Sequence, residues 1–225
     1  MPTFCNIIRD AIPNLQDYYL GQLTFLVGAM RQHIRTCIND IIELVHNVWD
    51  TLSHRLALIV LVEALADALA SEFGPYVTAL IPKLLSILQE DKTDAMVPTQ
   101  MKTLGALTAF ASNLQNYMNL VVPIVITCYE FNGTPRVLRT QAIQCLKELS
   151  HTVDLYPYTS RIVHSLMPLM TANDSSLHQA VVDALHTFTY TLGSGIAIFV
   201  PVLVKVRQAL DVPFIGVLNV VICRL

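Results

Sequence analysis

The sequence predicts an all-α fold, a solenoid built from antiparallel helix pairs. Three observations predict it. A motif recurs in fixed register: Tyr76–Asp91 reads YVTALIPKLLSILQED, Tyr117–Asn132 reads YMNLVVPIVITCYEFN and Tyr158–Asn173 reads YTSRIVHSLMPLMTAN, each copy starting 41 residues after the last. Every copy opens on Tyr, carries two apolar residues four and five positions on (Leu80-Ile81, Val121-Val122, Ile162-Val163) and closes on a polar turn residue (Asp91, Asn132, Asn173). Between the copies, apolar residues recur at the three-and-four spacing that puts them on one face of a helix. No alternating apolar/polar segment is joined by a two-residue hairpin, since Asn132-Gly133 runs into Thr134-Pro135 and reads as a helix start.

A period of about 37–41 residues is that of two-helix HEAT-type or armadillo-like arrays, in which each unit buries its apolar face only against its neighbours. The chain is therefore read as one solenoid segment over residues 1–225, with roughly five helix pairs. The residues that define the repeat core are Ile81, Pro82 and Leu85 in the first copy, Val122, Pro123 and Ile126 in the second, Val163 and Met167 in the third, and Phe199 and Pro201 in a fourth, shortened copy.

The elements follow in order. Phe4 to Ile12 forms a short apolar helix before Pro13. Leu15 to Ile34 and Thr36 to Trp49 form the first full pair, an earlier copy in looser register in which Ile41-Ile42 fall on Leu80-Ile81 and Trp49 on Leu88. Ser53 is placed to cap a helix over Arg55–Glu72, with Glu63 and Asp67 on one face, and Gly74-Pro75 to stop it. The Tyr76 helix follows, with Pro82 about one turn in, where a proline removes a backbone hydrogen bond and bends the helix; Pro123 repeats this, and His164 replaces it in the third copy. Asp91 to Pro98 reads as a loop. Thr99–Asn116 pairs with Met118–Phe131. Thr134 is expected as N-cap with Pro135 at the first helical position, starting Val137–Leu155, which pairs with Thr159–Thr171. Asp174 or Ser175 caps Leu177–Leu192. A Gly193-Ser194-Gly195 turn leads to Ile196–Leu210, and Val212-Pro213 separates it from Phe214–Leu225. Neither end shows a polar-faced capping repeat, so the chain reads as a piece of a longer array.

Composition narrows the function classes. The chain is 53% hydrophobic and 14% charged, with net charge −3 and no run of like charges. It can bury a large core, and it lacks the clustered Lys and Arg of a nucleic-acid-binding surface. Cys5, Cys37, Cys128, Cys145 and Cys223 form no CxxC pair and read as reduced, mostly buried residues of an intracellular protein. Arg9 and Asp10 interrupt the only apolar start, so no signal peptide is read. Mean hydropathy is +0.51, yet the uncharged stretches Thr103–Tyr129 and Ala184–Val204 carry polar residues or a Gly-rich break, and read as buried helix pairs rather than membrane spans.

No residue constellation carries chemistry. His178 and His186 stand eight apart, where a close metal pair on a helix needs three or four. Ser194 lacks the GxSxG spacing of a nucleophile elbow, and every nucleotide-binding motif is missing. No cofactor or small-molecule substrate is implied. Trp49, Tyr18 and Tyr19 could anchor a partner, since aromatics often do, but the register of Trp49 with Leu88 puts it on the buried stripe. Arg31, His33 and Arg35 read as a solvated turn between helices rather than a surface for an acidic partner.

Five collinear runs go further than the period: Gly21–Asp50 (GQLTFLVGAMRQHIRTCINDIIELVHNVWD), Ser71–Leu85 (SEFGPYVTALIPKLL), Ser112–Val125 (SNLQNYMNLVVPIV), Ser160–Met170 (SRIVHSLMPLM) and Ile198–Val206 (IFVPVLVKV). Together they resemble the N-terminal HEAT solenoid of the target of rapamycin (TOR) kinases. The resemblance implies a very large Ser/Thr protein kinase of the phosphatidylinositol-kinase-related type, active in nutrient-responsive growth signalling, with its kinase domain outside this chain. It implies a scaffold role for this stretch, in TOR dimers and in docking Raptor-like or Rictor-like subunits. It also implies a cytoplasmic location, peripheral at endomembranes through the parent complex. No catalytic residue carries over. A generic HEAT adaptor, importin-like or phosphatase-scaffold-like, is the alternative reading; an enzyme on a helical scaffold would need a polar pocket that the sequence does not show.

Overall fold

A computed structural model describes residues 1–51, 54–170 and 175–192 of the chain. Among the described residues every regular element is a helix. The chain divides into two compact units, one over Met1–Asn113 and one from Leu114 on.

The first unit holds six helices: α1 (Pro2–Asp10), α2 (Pro13–Met30), α3 (Ile38–Val48), α4 (Arg55–Leu69), α5 (Gly74–Gln89) and α6 (Val97–Ala109). They form two layers. In one, α4 packs between α2 and α6; in the other, α1 packs on α3. α5 joins α3 through a hydrogen bond from the Tyr76 hydroxyl to Asn39 Oδ1 at 3.0 Å and through the Lys83 ammonium 5.5 Å from the centre of the Trp49 ring. The second unit holds α7 (Met118–Glu130), α8 (Arg136–Leu149), α9 (Thr159–Met170) and α10 (Ser175–Thr191). There α7 packs on α8 and α9, and α10 on α8 and α9.

The apolar doublets explain the packing. Ile41-Ile42, Leu80-Ile81, Val121-Val122 and Ile162-Val163 are all buried. One turn on come Val45, Leu84-Leu85, Val125-Ile126 and Leu166, also buried. A helix with apolar pairs at this spacing has a stripe too wide to cover itself. Each fully buried Leu, Ile or Val contributes about 1.5–3 kcal/mol relative to exposure, so the stripe forces each helix against its neighbours. Helices α3, α5, α7 and α9 thus repeat one buried pattern.

Polar side chains tie equivalent parts of successive repeats. Asp17 Oδ1 sits 2.6 Å from His54 Nδ1, Arg55 Nη1 donates to Glu90 Oε1 at 2.6 Å, and Arg35 pairs with Glu72. Asn113 Nδ2 donates to the Ala70 carbonyl at 3.1 Å. In the second unit, Arg136 Nε donates to Ser176 Oγ at 2.7 Å, and the backbone N–H of Asp154 donates to Gln115 Oε1 at 2.9 Å. The buried hydroxyls of Tyr129 and Ser165 lie 2.5 Å apart. These links span between 35 and 43 residues, one repeat each.

Several turns differ from the sequence reading. The helix expected to reach Ile34 ends at Met30, and a 3-10 turn over Arg31–Cys37 leads to α3. Gly74-Pro75 does not stop α4; it opens α5, with Pro75 in the first turn where its missing N–H costs nothing. α4 instead ends at Leu69, and Ala70 takes φ 48°. Thr134 does not cap α8. It is buried with its hydroxyl unpaired, and Pro135, extended at ψ 137°, occupies the cap position. α9 carries its internal proline at Pro168, one turn after His164. The Ser53 and Asp174 caps and everything read after Leu192 lie outside the described residues.

Arg31 and Ala70 follow α2 and α4 respectively, and both have positive φ, 47° and 48°. In both, the N–H closes back onto the helix, to the Val27 and Ala66 carbonyls. A side chain at positive φ costs on the order of 1–3 kcal/mol, which glycine avoids at some loss of its own backbone entropy. Ala70→Gly is therefore expected to stabilise the chain by about 1 kcal/mol in denaturant melts, and Ala70→Val to destabilise it. A loss of stability on Ala70→Gly would contradict the backbone assignment.

Candidate protein-interaction surface

Many of the described polar side chains join one repeat to the next. No group of three or more His, Cys, Asp or Glu is arranged to hold a metal among the described residues. His186 stacks edge-on against Tyr190 at 5.1 Å, and His178 Nε2 is buried without a partner. Cys5, Cys128 and Cys145 are buried free thiols. Burial pushes the Cys145 thiol far above its ordinary value and raises that of Cys5 as well, so neither is a ready thiolate nucleophile. Burial likewise raises the Tyr129 phenol, against the opposing effect of its hydrogen bond to Ser165. No described helix is long and apolar enough to cross a membrane.

Of the residues read as the repeat core, Ile81, Leu85, Val122, Ile126 and Val163 are buried. Pro82 is exposed, and Pro123 and Met167 are half-buried; Phe199 and Pro201 lie outside the described residues. Trp49 is 3% exposed, buried beneath Lys83. Tyr18 is 60% exposed, while Tyr19 is half-buried, edge-on to Phe4 at 6.2 Å. Arg35 is held by Glu72, whereas Arg31 and His33 face solvent at the rim of a cleft.

That cleft belongs to an open groove between α2 and α4. At one end a cavity of about 440 Å³ is lined by Asp17, Gly21 and Thr24 of α2 and by Leu56, Ala57 and Val60 of α4. At the other a cavity of about 810 Å³ is lined by Gly28 to His33 and by Ala64, Asp67 and Ala68. Small residues at helical spacing on both helices keep the groove open, and no atom lies within 4 Å of where a Cβ on Gly21 or Gly28 would stand. The sequence reading took α2 and α4 as apolar runs and missed the groove. The available signal was the small residues at three-, four- and seven-residue spacing on two helices one repeat apart.

Asp67 lines the groove, and its titration is shifted. Partial desolvation, then the neighbouring Glu63, raise its pKa, and Lys102 opposes them; Lys102 itself pairs with Glu63. A carboxyl whose folded pKa lies above its unfolded value costs stability when ionised. The cost is present at neutral pH and disappears as pH falls below the ordinary carboxylate range. Asp67→Asn should therefore raise the melting temperature at pH 7 and lose that advantage in acid. An equal or larger gain in acid would contradict this account.

Comparisons with known proteins agree with this architecture. The structure resembles the crystal structure of the MAST/Orbit N-terminal domain over 98% of this chain and 94% of that one, with TM-score 0.57 and 16% identity. It resembles an engineered protein over 99% and 96%, with TM-score 0.65 and 14% identity. Among sequences, it is 30% identical over 207 residues to the serine/threonine-protein kinase tor1 of Schizosaccharomyces pombe, covering 92% of this chain and 9% of the relative. It is 31% identical over 204 residues to mTor of Drosophila melanogaster, covering 89% and 8%, and 27% identical over 205 residues to TOR2 of Saccharomyces cerevisiae, covering 91% and 8%. The chain thus spans less than a tenth of the length of these relatives, within their HEAT region and not their kinase domain. A family model described as "Stalled ribosome sensor GCN1-like, HEAT repeats" matches residues 57–211. With more than half of its residues so matched, in a fold of stacked helix pairs, the chain belongs to the GCN1-like HEAT-repeat family.

Proposed function

We propose that residues 1–225 act as one continuous stretch of a TOR-type HEAT scaffold that supports complex assembly, both the pairing of two kinase copies and the docking of Raptor-like or Rictor-like subunits. The observation that carries this reading is the similarity to TOR kinases, collinear over about nine-tenths of the chain, in a fold whose described polar side chains link successive repeats. A scaffold of this kind contributes by geometry: rigid repeats hold partner surfaces at fixed distances. On this reading the chain works on the cytoplasmic side of membranes, reaching endomembranes through the parent complex.

The test uses a full-length TOR kinase in which the matching stretch is exchanged for an unrelated HEAT array of equal repeat number. Activity of the purified kinase on a short peptide substrate should persist, while the second kinase copy and the accessory subunits are lost from affinity purifications. Full retention of every subunit would reduce this stretch to a spacer and overturn the proposal.

A further inference from the structure

The groove between α2 and α4 is an apolar channel whose acidic and cationic side chains stand only at its ends: Asp17 at one, Arg31 and Asp67 at the other. On the α4 side, Leu56, 41% exposed, and the half-buried Val60 form its wall. On the α2 side, Phe25 stands one turn before the lining residue Ala29, and Tyr18 two turns before Phe25, so both lie along the same rim. Phe25 is 72% exposed and Tyr18 60%. Between the walls, no atom lies within 4 Å of where a Cβ on Gly21 or Gly28 would stand, which leaves room for bulky side chains from outside. From Asp17 to Arg31 the channel is roughly 20 Å long at 1.5 Å per residue, about four helical turns.

The end near Arg31 and Asp67 is polarised. Asp67 lies in the last turn of α4, where the helix dipole disfavours negative charge. Arg31 follows α2 and lines the same cavity. Both side chains are exposed, and neither forms an ion pair or hydrogen bond among the described residues. Glu63, beside Asp67, is already taken by Lys102. The mouth is therefore positive on its α2 side and negative on its α4 side, with one charge on each side available to a partner. Asp67 destabilises the fold when ionised, as argued above, and a residue that is costly to the fold is characteristic of a surface kept for binding.

We propose that the α2–α4 groove is a docking site for an amphipathic helix of another protein. The occupant is about four turns long and lays large apolar residues, spaced i, i+3, i+4 and i+7, over Gly21 and Gly28 between the Phe25 and Leu56 walls. At the polarised end it carries a Lys or Arg on the flank that meets Asp67 and an Asp or Glu on the flank that meets Arg31. The apolar channel supplies affinity, and the paired charges set the occupant's direction and register. The site is independent of which complex the chain serves.

The probe is a phage-displayed library of helices about 14 residues long, with Leu fixed along one stripe and all other positions randomised, selected on the intact protein. Selected peptides should carry a basic residue on one flank and an acidic residue on the other. Gly21→Leu/Gly28→Leu fills the channel where there is space for the added side chains. It should weaken the best peptide by on the order of tenfold or more in fluorescence anisotropy, without lowering the melting temperature. Asp67→Lys should weaken the same peptide by on the order of fivefold, and exchanging the peptide's facing basic residue for Glu should restore binding. A selection that yields no binder, binding that survives Gly21→Leu/Gly28→Leu, or binding indifferent to the sign at position 67 overturns the proposal. Mass photometry of Gly21→Leu/Gly28→Leu should show an unchanged oligomeric state; loss of a second copy assigns the groove to self-association and overturns it as well.

Discussion

None of the helices α3, α5, α7 and α9 can bury its own apolar stripe. Two adjacent apolar residues, repeated one turn later, cover more than the third of a helix surface that a single partner conceals, so every helix needs neighbours on more than one side. α4 shows the result: Leu61 and Leu65 are buried toward α2, while Glu63 reaches Lys102 on α6. Stability is therefore distributed over interfaces and not concentrated in one core. The 41-residue register follows from the same need, because a repeat that slipped would present a polar face to its neighbour's stripe.

Apolar stripes set the distance between repeats but leave their sliding position soft. The polar ties fix it. Asp17–His54, Arg35–Glu72 and Arg55–Glu90 join like positions of successive repeats, and Asn113 and Gln115 bond backbone groups about one repeat away. Exposed ion pairs contribute little to stability individually. The Asp17–His54 contact is different: the imidazole is 1% exposed and its Nδ1 lies 2.6 Å from that carboxylate, so its geometry is specific. Among the described residues these charged side chains serve to join repeats.

What the sequence disclosed was decided by burial. The doublets at 80–81, 121–122 and 162–163 could be read directly because only apolar pairs survive at such positions, and the structure buries all of them. Turn chemistry was less legible. Gly74-Pro75 looked like a stop, yet it opens α5, with Gly74 close against Asn113: a Cβ there would stand 3.1 Å from Asn113 Oδ1. Ala70, which ends α4 at positive φ, carries no turn signal at all. At Gly133 a Cβ would lie 2.5 Å from the Phe131 ring, so the Asn132-Gly133 turn is shaped by packing as much as by capping. The α2–α4 groove was illegible for a further reason. Glycine and alanine on one helix mean nothing until a second helix, one repeat away, places its own small residues opposite.

The most direct measurement compares two deletions by denaturant melting. Removing Tyr76 to Asn116 takes out 41 residues, one repeat in phase, and joins Gly74-Pro75 to Tyr117 so that a second-layer helix again starts there. The new interface matches in type but not in shape, and should cost on the order of 1–3 kcal/mol, leaving a cooperative melt. Removing Tyr76 to Ala95 deletes 20 residues, nearly all of α5, and runs one first-layer helix into another. That exposes whole stripes, at roughly 1.5–3 kcal/mol for each large side chain, beyond the 5–15 kcal/mol that holds a typical domain together. The account predicts a folded 41-residue deletion and an unfolded 20-residue one. Equal damage from both, or the reverse order, would contradict it.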